Sequence, residues 1–233
     1  MRERKPVWSM FDRIAHRYDL VNRLLSLGQD QRWRKKLLGH FSDKKDQYLL
    51  DVATGTGDMV LMAFEKDKRV INAVGVDLSK EMLSRAKQKV EAKKLSKSIN
   101  LDIADAENLP FEDNTFDVVT IVFGIRNVPD YKKAISSMFR VLKEDGRLLI
   151  MEFSLPNNKL IRQIYLFYFR HILPKLGGWI SGSLSAYQYL NQSVEDFPYG
   201  EAFSNEIKNA GFNDIDIYPL TFGVASIYCA KKT

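Results

Sequence analysis

Two short stretches hold residue types that could do chemistry, DVATGTGD at 51–58 and FGIRNV at 123–128. In the first, Gly55 and Gly57 would let the backbone approach a ligand closely and then open a helix, whose leading N–H groups favour an electron-rich partner. A dinucleotide fingerprint would place a third glycine at position 60, where this chain has Val60, and that weakens a nicotinamide reading and a pyrophosphate with it. Asp77 follows roughly 20 residues after Gly57, where a carboxylate can accept the protons of both ribose hydroxyls. Asp105 opens DAENLPF (105–111) and could accept from an adenine amino group, with the Ala106 amide turned to a ring nitrogen. A glycine turn with an acid is also an ordinary folding device. In this order, however, Asp51 with Gly55 and Gly57, then Asp77, then Asp105 and Ala106 specify S-adenosylmethionine rather than a dinucleotide.

These residues need a scaffold that gathers them at one edge. Apolar runs of strand length occur at YLLDVA (48–53), VINAVGVD (70–77), INLDIA (99–104), FDVVTIVF (116–123) and RLLIMEF (147–153). Helical patterns lie between them: 59–66 after the glycine turn, a helix capped by Ser79, and one opened by Asp130 with Ile135, Met138, Phe139 and Leu142 on one face, expected to end at Asp145-Gly146. Strands alternating with helices predict an α/β fold with a doubly wound parallel sheet. A last helix near 201–210 precedes strands near 215–218 and 225–230, too close together for a crossover, so they should pair as a hairpin. The expectation is a single domain over 1–233 with seven strands, the last antiparallel, a helical cap over 1–45 and an insertion over 154–200. In such a sheet the ligand crevice lies at the carboxyl ends of the strands where their order reverses, which is where DVATGTGD leaves the first strand.

At 233 residues and 45% hydrophobic, the chain can bury a full core. The lone Cys229 excludes an internal disulfide framework, fits a reducing compartment and, in the alternating run VASIYCA, reads as packing rather than as a nucleophile. The opening MRERKPVW turns polar again at once, and no apolar run approaches the ~20 residues of a membrane span, so a cytoplasmic protein is expected. A net charge of +6 would suit RNA, an anionic membrane surface or an acidic substrate. The lysines of 80–97, at helical spacing, read more simply as a solvated face, and no nucleic acid is expected. His16, His40 and His171 are scattered with no ligand set at metal spacing, so no metal is expected.

The chain resembles the class I S-adenosylmethionine methyltransferases, and within them the UbiE/COQ5 family of quinone C-methyltransferases, which act on demethylmenaquinol or a ubiquinol precursor. FDRIAHRYDLVNRLLSLG, DVATGTGD, DIADAENLPFEDNTFD, FGIRNVPD, RVLKEDGRLLIMEFS and LSAYQYLNQSVEDFP carry the resemblance over almost the whole sequence. The glycine turn is common to many methyltransferases, whereas FGIRNV with YDLVN and AYQYL is specific to this family. It implies a Rossmann-like methyltransferase fold and puts Thr56, Asp77, Asp105 and Ala106 at the family's cofactor positions. Thr54 stands where many members have glycine, Asp105 where asparagine is frequent, and Val122 where some have serine. Asp30, Glu195, Asp196 and Tyr228 also depart from the pattern, on the substrate side or at the periphery, and leave the exact quinone open.

What FGIRNV does follows from the chemistry that the resemblance implies. A ring carbon becomes nucleophilic when an adjacent hydroxyl of the reduced quinol ionises, so the protein must stabilise an oxyanion beside the methyl donor. Arg126 stays protonated and suits that task, with Asn127 bonding the same oxygen; both could instead fix the loop before Pro129. Tyr18, Asp19 and Asn22 in the cap, with Tyr187 and Tyr189 in AYQYL, are candidates to line the substrate pocket, or equally to cap and pack. The stretch 159–179 mixes large apolar residues with Arg162, Arg170, His171 and Lys175, the pattern of a membrane-interface helix or of a helix covering the sheet. The expected reaction is C-methylation of demethylmenaquinol, with a prenylated quinol as partner, peripheral membrane contact and a homo-oligomer left open. The alternatives are a ubiquinone precursor as substrate, an RNA methyltransferase suggested by charge alone, and a non-catalytic binding protein on the same fold.

Overall fold

The computed structural model describes residues 9, 10, 12, 15, 16, 18–175 and 184–233, and of residues 18, 21, 24, 25 and 184–187 the backbone alone. Two helices, α1 (Tyr18–Leu25) and α2 (Gln29–Leu38), lead into β1 (Gln47–Val52), α3 (Asp58–Lys66), β2 (Val70–Asp77), α4 (Lys80–Ala92), β3 (Ile99–Ile103) and β4 (Phe116–Val122). Then come α5 (Tyr131–Val141), β5 (Leu142–Phe153), α6 (Lys159–Phe167), a π-helical turn (Tyr168–Ile172), α7 (Leu184–Asp196), α8 (Glu201–Asn209), β6 (Asn213–Leu220) and β7 (Ala225–Lys231).

The strands form one seven-stranded sheet in the order β3-β2-β1-β4-β5-β7-β6. β1 to β5 are parallel, and β7 runs antiparallel to both β5 and β6. The fold class expected from the strand-helix alternation is therefore the one observed. The strand order reverses between β1 and β4, which makes their carboxyl ends the crevice of the sheet.

Period-two alternation divides the core. Leu50, Val119 and Ile150 point to one face, packed with α5 through Ile135 and Met138 and with α8 through Phe203. Leu49, Val118 and Leu149 point to the other, under Leu37 of α2, Val60 of α3 and Ala86 of α4. The side chain of Ser79 accepts from the Met82 amide and that of Asp130 from the Lys133 amide, so both predicted caps start their helices. The helix opened by Asp130 does not reach Asp145-Gly146. It ends at Val141, and Leu142 already pairs with Phe116; Asp145, at φ 62°, and Gly146 form a bulge inside β5 rather than a helix end.

Candidate functional site

Two non-glycine residues with left-handed backbones flank the crevice, Ala53 (φ 50°) just past β1 and Phe123 (φ 57°) just past β4. The two turns touch: a Cβ at Gly124 would lie 2.7 Å from that of Ala53. Gly57 (φ 81°) opens α3 and admits no side chain comfortably, since its Cβ would meet Ala86 at 3.1 Å. At Gly55 (φ 58°) a Cβ would meet nothing within 4 Å, so that backbone faces open space where a ligand can approach.

The carboxylates of this edge are tied to backbone. Asp77 accepts from the amides of Gly55 (2.9 Å) and Ser79 (2.8 Å), which locks the glycine turn to the β2–α4 junction. With the Leu78 amide as a further backbone donor, the carboxylate still keeps acceptor capacity for a hydroxyl. Burial holds the Asp77 carboxyl above the usual carboxylate range. Asp51, 1% exposed, accepts from Thr54 Oγ1 (2.6 Å) and Thr120 Oγ1 (2.7 Å), and burial pushes its pKa up to about 6. Thr54 thus braces Asp51. Asp105 is exposed and accepts from the Glu107 amide at 2.9 Å, forming the turn that carries the buried Ala106. Leu78 and Ile103, 39% and 54% exposed at the ends of β2 and β3, add an apolar surface beside these acids that could hold a flat base.

The cap closes over this edge through charge. Lys89 of α4 bonds Asp19 Oδ2 of α1 at 2.6 Å, Asp58 Oδ1 at 2.6 Å and Thr56 Oγ1 at 3.0 Å, and Thr56 Oγ1 itself donates to Asp19 Oδ1 at 2.6 Å. Lys89 belongs to the lysine run expected to be a solvated face. Its side chain is 29% exposed and serves instead as the centre of a latch, because α1 and α3 both bring carboxylates to it. Asp19, Asn22, Asp30, Arg34, Asp51, Thr54, Gly55, Thr56 and Val122 line the resulting cleft.

Beyond β4 the surroundings change. Arg126 is 5% exposed and Glu152, at the end of β5, 1%; Arg126 Nη1 donates to Glu152 Oε1 at 2.7 Å and to the Phe123 carbonyl at 2.8 Å. The guanidinium lies over the Phe153 ring at 5.3 Å, and Phe153 stacks on Phe123 with centroids 4.4 Å apart. Asn127 donates to the Phe123 carbonyl at 3.3 Å. Arg126 Nε, Asn127 Oδ1 and the Tyr165 hydroxyl are buried without a hydrogen-bond partner. Tyr165 and Tyr189 both feel the charges of Arg126 and Glu152, and burial raises both phenols.

The structure thus brings Asp51, Gly55, Thr56, Asp77 and Asn22 to one cleft edge, with Gly57 opening the adjacent helix, and sets Arg126, Asn127 and Tyr189 together past β4. Tyr18 and Tyr187 lie outside the described side chains. Glu152, Tyr165 and Arg34 escaped the reading of the sequence: Glu152 ends an apolar run, Tyr165 sits in an aromatic-rich helix and Arg34 in a basic one. A charge closing the apolar strand run RLLIMEF was the one available signal for Glu152. The 159–179 stretch leaves Leu160, Ile164 and Phe167 exposed at 66%, 63% and 61% on one side of α6. Over 159–167 the helix is thus exposed on that side, while its other side packs through Tyr165 and Leu166 against Phe153 and Phe169; 176–179 lie outside the described residues. Among the described residues no helix is long and apolar enough to cross a membrane.

Comparison with known proteins follows the same outline. The model of the ubiE/COQ5 methyltransferase family matches residues 1–232. A demethylmenaquinone methyltransferase of Thermus thermophilus is 46% identical over 223 residues, 96% of this chain and 100% of its own length. A ubiquinone/menaquinone biosynthesis C-methyltransferase UbiE of Citrifermentans bemidjiense is 44% identical over 224 residues, 96% of this chain and 95% of its own. Among solved structures, a putative S-adenosyl-L-methionine-dependent methyltransferase of Methanococcus maripaludis superposes with TM-score 0.70 at 20% identity, covering 100% of this chain and 97% of that one, and shares its fold.

Proposed function

The chain belongs to the ubiE/COQ5 methyltransferase family, and from that premise we propose that it methylates a ring carbon of demethylmenaquinol, giving menaquinol, with S-adenosylmethionine as methyl donor. The observation that carries the substrate is the end-to-end similarity to a relative named for that activity. The ubiquinone precursor stays as a second substrate because another relative of almost equal similarity is named for both quinones.

The cleft fits the cofactor: the open face over Gly55, the spare acceptor capacity of Asp77, the turn at Asp105 with the buried Ala106, and apolar Leu78 and Ile103 suit an adenosine. When bound, S-adenosylmethionine supplies an electrophilic methyl on a positively charged sulfur. The chain's own residues then have two tasks. One is to hold the quinol ring against that methyl, for which the Phe123 and Phe153 rings and the turn after β4 provide a wall. The other is to carry the negative charge of the quinol oxygen once its proton has left. Arg126 Nε, buried and without a partner, and the Asn127 side chain serve there, and the salt bridge to Glu152 fixes the guanidinium. Arg126 and Asn127 would hold that oxygen while the methyl bonds to the ring carbon and the oxygen becomes a neutral carbonyl, and again after the ring proton leaves to solvent and restores the aromatic oxyanion, until the oxygen regains a proton and the quinol is complete.

The test is transfer of labelled methyl from S-adenosylmethionine to a short-tailed demethylmenaquinone with and without reductant, in wild type and Arg126→Ala. Transfer that requires the reductant and falls about a thousandfold in the variant supports the assignment. Transfer to the oxidised quinone, or unchanged rates in the variant, would overturn the role of the arginine. A lipid-tailed substrate also gives a purpose to the apolar side of α6, where Leu160, Ile164 and Phe167 are exposed, as a peripheral membrane contact. Leu160→Ser with Phe167→Ser should reduce co-flotation with anionic vesicles several-fold; equal flotation would remove the contact.

A further inference from the structure

Under the reading above, Asp77 and Asp105 account for the ribose and the base, and Arg126 for the acceptor. The amino-acid tail of the cofactor, which carries a carboxylate and an ammonium, has as yet no partner. At the β1 end of the same cleft, α2 lays a buried ion pair one turn apart: Asp30 is 5% exposed, Arg34 is 9% exposed, and Arg34 Nη1 donates to Asp30 Oδ2 at 2.9 Å. Both line the cleft with Thr54, Gly55 and Asp51. The Arg34 guanidinium lies 5.9 Å from the centroid of Phe123, the residue that leaves β4. Its Nε is buried and has no hydrogen-bond partner.

A buried ion pair contributes little net stability, because desolvation offsets the attraction, and an orphaned donor on a buried cation adds a further cost. A guanidinium kept in that state beside an open backbone turn is matched to a planar anion, since its fork can bond both oxygens of a carboxylate. We infer that Arg34 anchors the carboxylate of the amino-acid tail of S-adenosylmethionine, with Asp30 holding the fork in place, an inference that rests on the cofactor reading above. Lysine could not replace the fork with one ammonium.

The experiment compares S-adenosylhomocysteine, its decarboxylated analogue and 5′-methylthioadenosine, which lacks the tail, by calorimetric titration. The proteins are wild type, Arg34→Gln, Arg34→Lys and the double variant Asp30→Asn with Arg34→Gln, which leaves no buried charge unpaired. Wild type should bind S-adenosylhomocysteine on the order of 30-fold more tightly than the decarboxylated analogue, the size of a charge-assisted bidentate bond. Both glutamine variants should lose that preference while binding 5′-methylthioadenosine as before, which also shows that they are folded; Arg34→Lys should recover only part. Equal wild-type affinity for the acid and its decarboxylated analogue overturns the anchor without need of any variant. So does an equal loss for S-adenosylhomocysteine and 5′-methylthioadenosine in the variants. Wild type that binds none of the three removes the cofactor reading itself, and the anchor with it.

Discussion

Around the glycine turn, charged groups are numerous and partly wet, with Lys89, Asp19 and Asp58 exposed at 29%, 27% and 17%. Past β4, Arg126 and Glu152 face each other at 5% and 1% exposure inside an aromatic shell of Phe123 and Phe153. The two regions sit on the same edge of one sheet and differ in what they must do with charge. On the proposed reaction the first holds a polar ligand and releases it, which suits groups that are shared among several partners and reachable by water. The second, on the proposed reaction, brings a cationic donor and an anionic ring together and leaves neutral products. A neutral pair in apolar surroundings suits that step, because it fixes one donor toward the oxygen without surrounding the site with competing water.

The largest effect should come from breaking the buried pair. Arg126→Ala leaves Glu152 charged and alone, which should cost about 3–5 kcal/mol in urea unfolding, in addition to the loss of transfer. Replacing both residues by methionine should return most of that stability and none of the transfer. A double variant that regains transfer would make the pair a scaffold only, and the contrast between the two regions would fail.

The next effect lies on the cofactor side. Burial raises the Asp51 carboxyl to about 6, so the folded chain holds that proton more tightly than the unfolded one does. The group's stabilisation is therefore complete below about pH 4 and is lost as pH rises through 6, up to about 3 kcal/mol. Asp51→Asn should flatten this part of the profile, measured as unfolding free energy of wild type minus variant from pH 4 to 7. A difference that grows in the opposite direction would show that the two threonines, not burial, govern this carboxyl.

The smallest effect is expected at the latch. Lys89→Met removes bonds to Asp19, Asp58 and Thr56 together, yet these groups are partly solvated and screened, so a loss of about 1 kcal/mol is expected, shrinking in high salt. A salt-independent loss of several kcal/mol would mean that the latch is as desolvated as the Arg126 pair.

Much of this was legible in the sequence because it depends on neighbours along the chain. Alternating apolar runs marked the strands, and Ser79 and Asp130 stood at the points where helices need an acceptor for their first amides. The glycine turn, Asp77 and the Asp105 turn were placed by their distance from strand ends. The resemblance picked out Arg126 and Asn127, and the chain does set them past β4. The Asp-Gly pair at 145–146 misled, since the same dipeptide that ends a helix can also bulge a strand, and only the pairing of Leu142 with Phe116 decides.

Sequence alone determined, then, the fold class, the sheet edge at which the glycine turn lies and the short-range turns that build it, because each follows from periodicity and local hydrogen bonding. Tertiary structure alone decided which charges meet. Glu152 reaches Arg126 across 26 residues, Lys89 reaches Asp19 across 70, and Arg34 comes to the crevice floor only because α2 packs beside the glycine turn. An ion pair between distant segments leaves no period in a sequence, and its energy depends on burial that exists only after the sheet and its helices have closed.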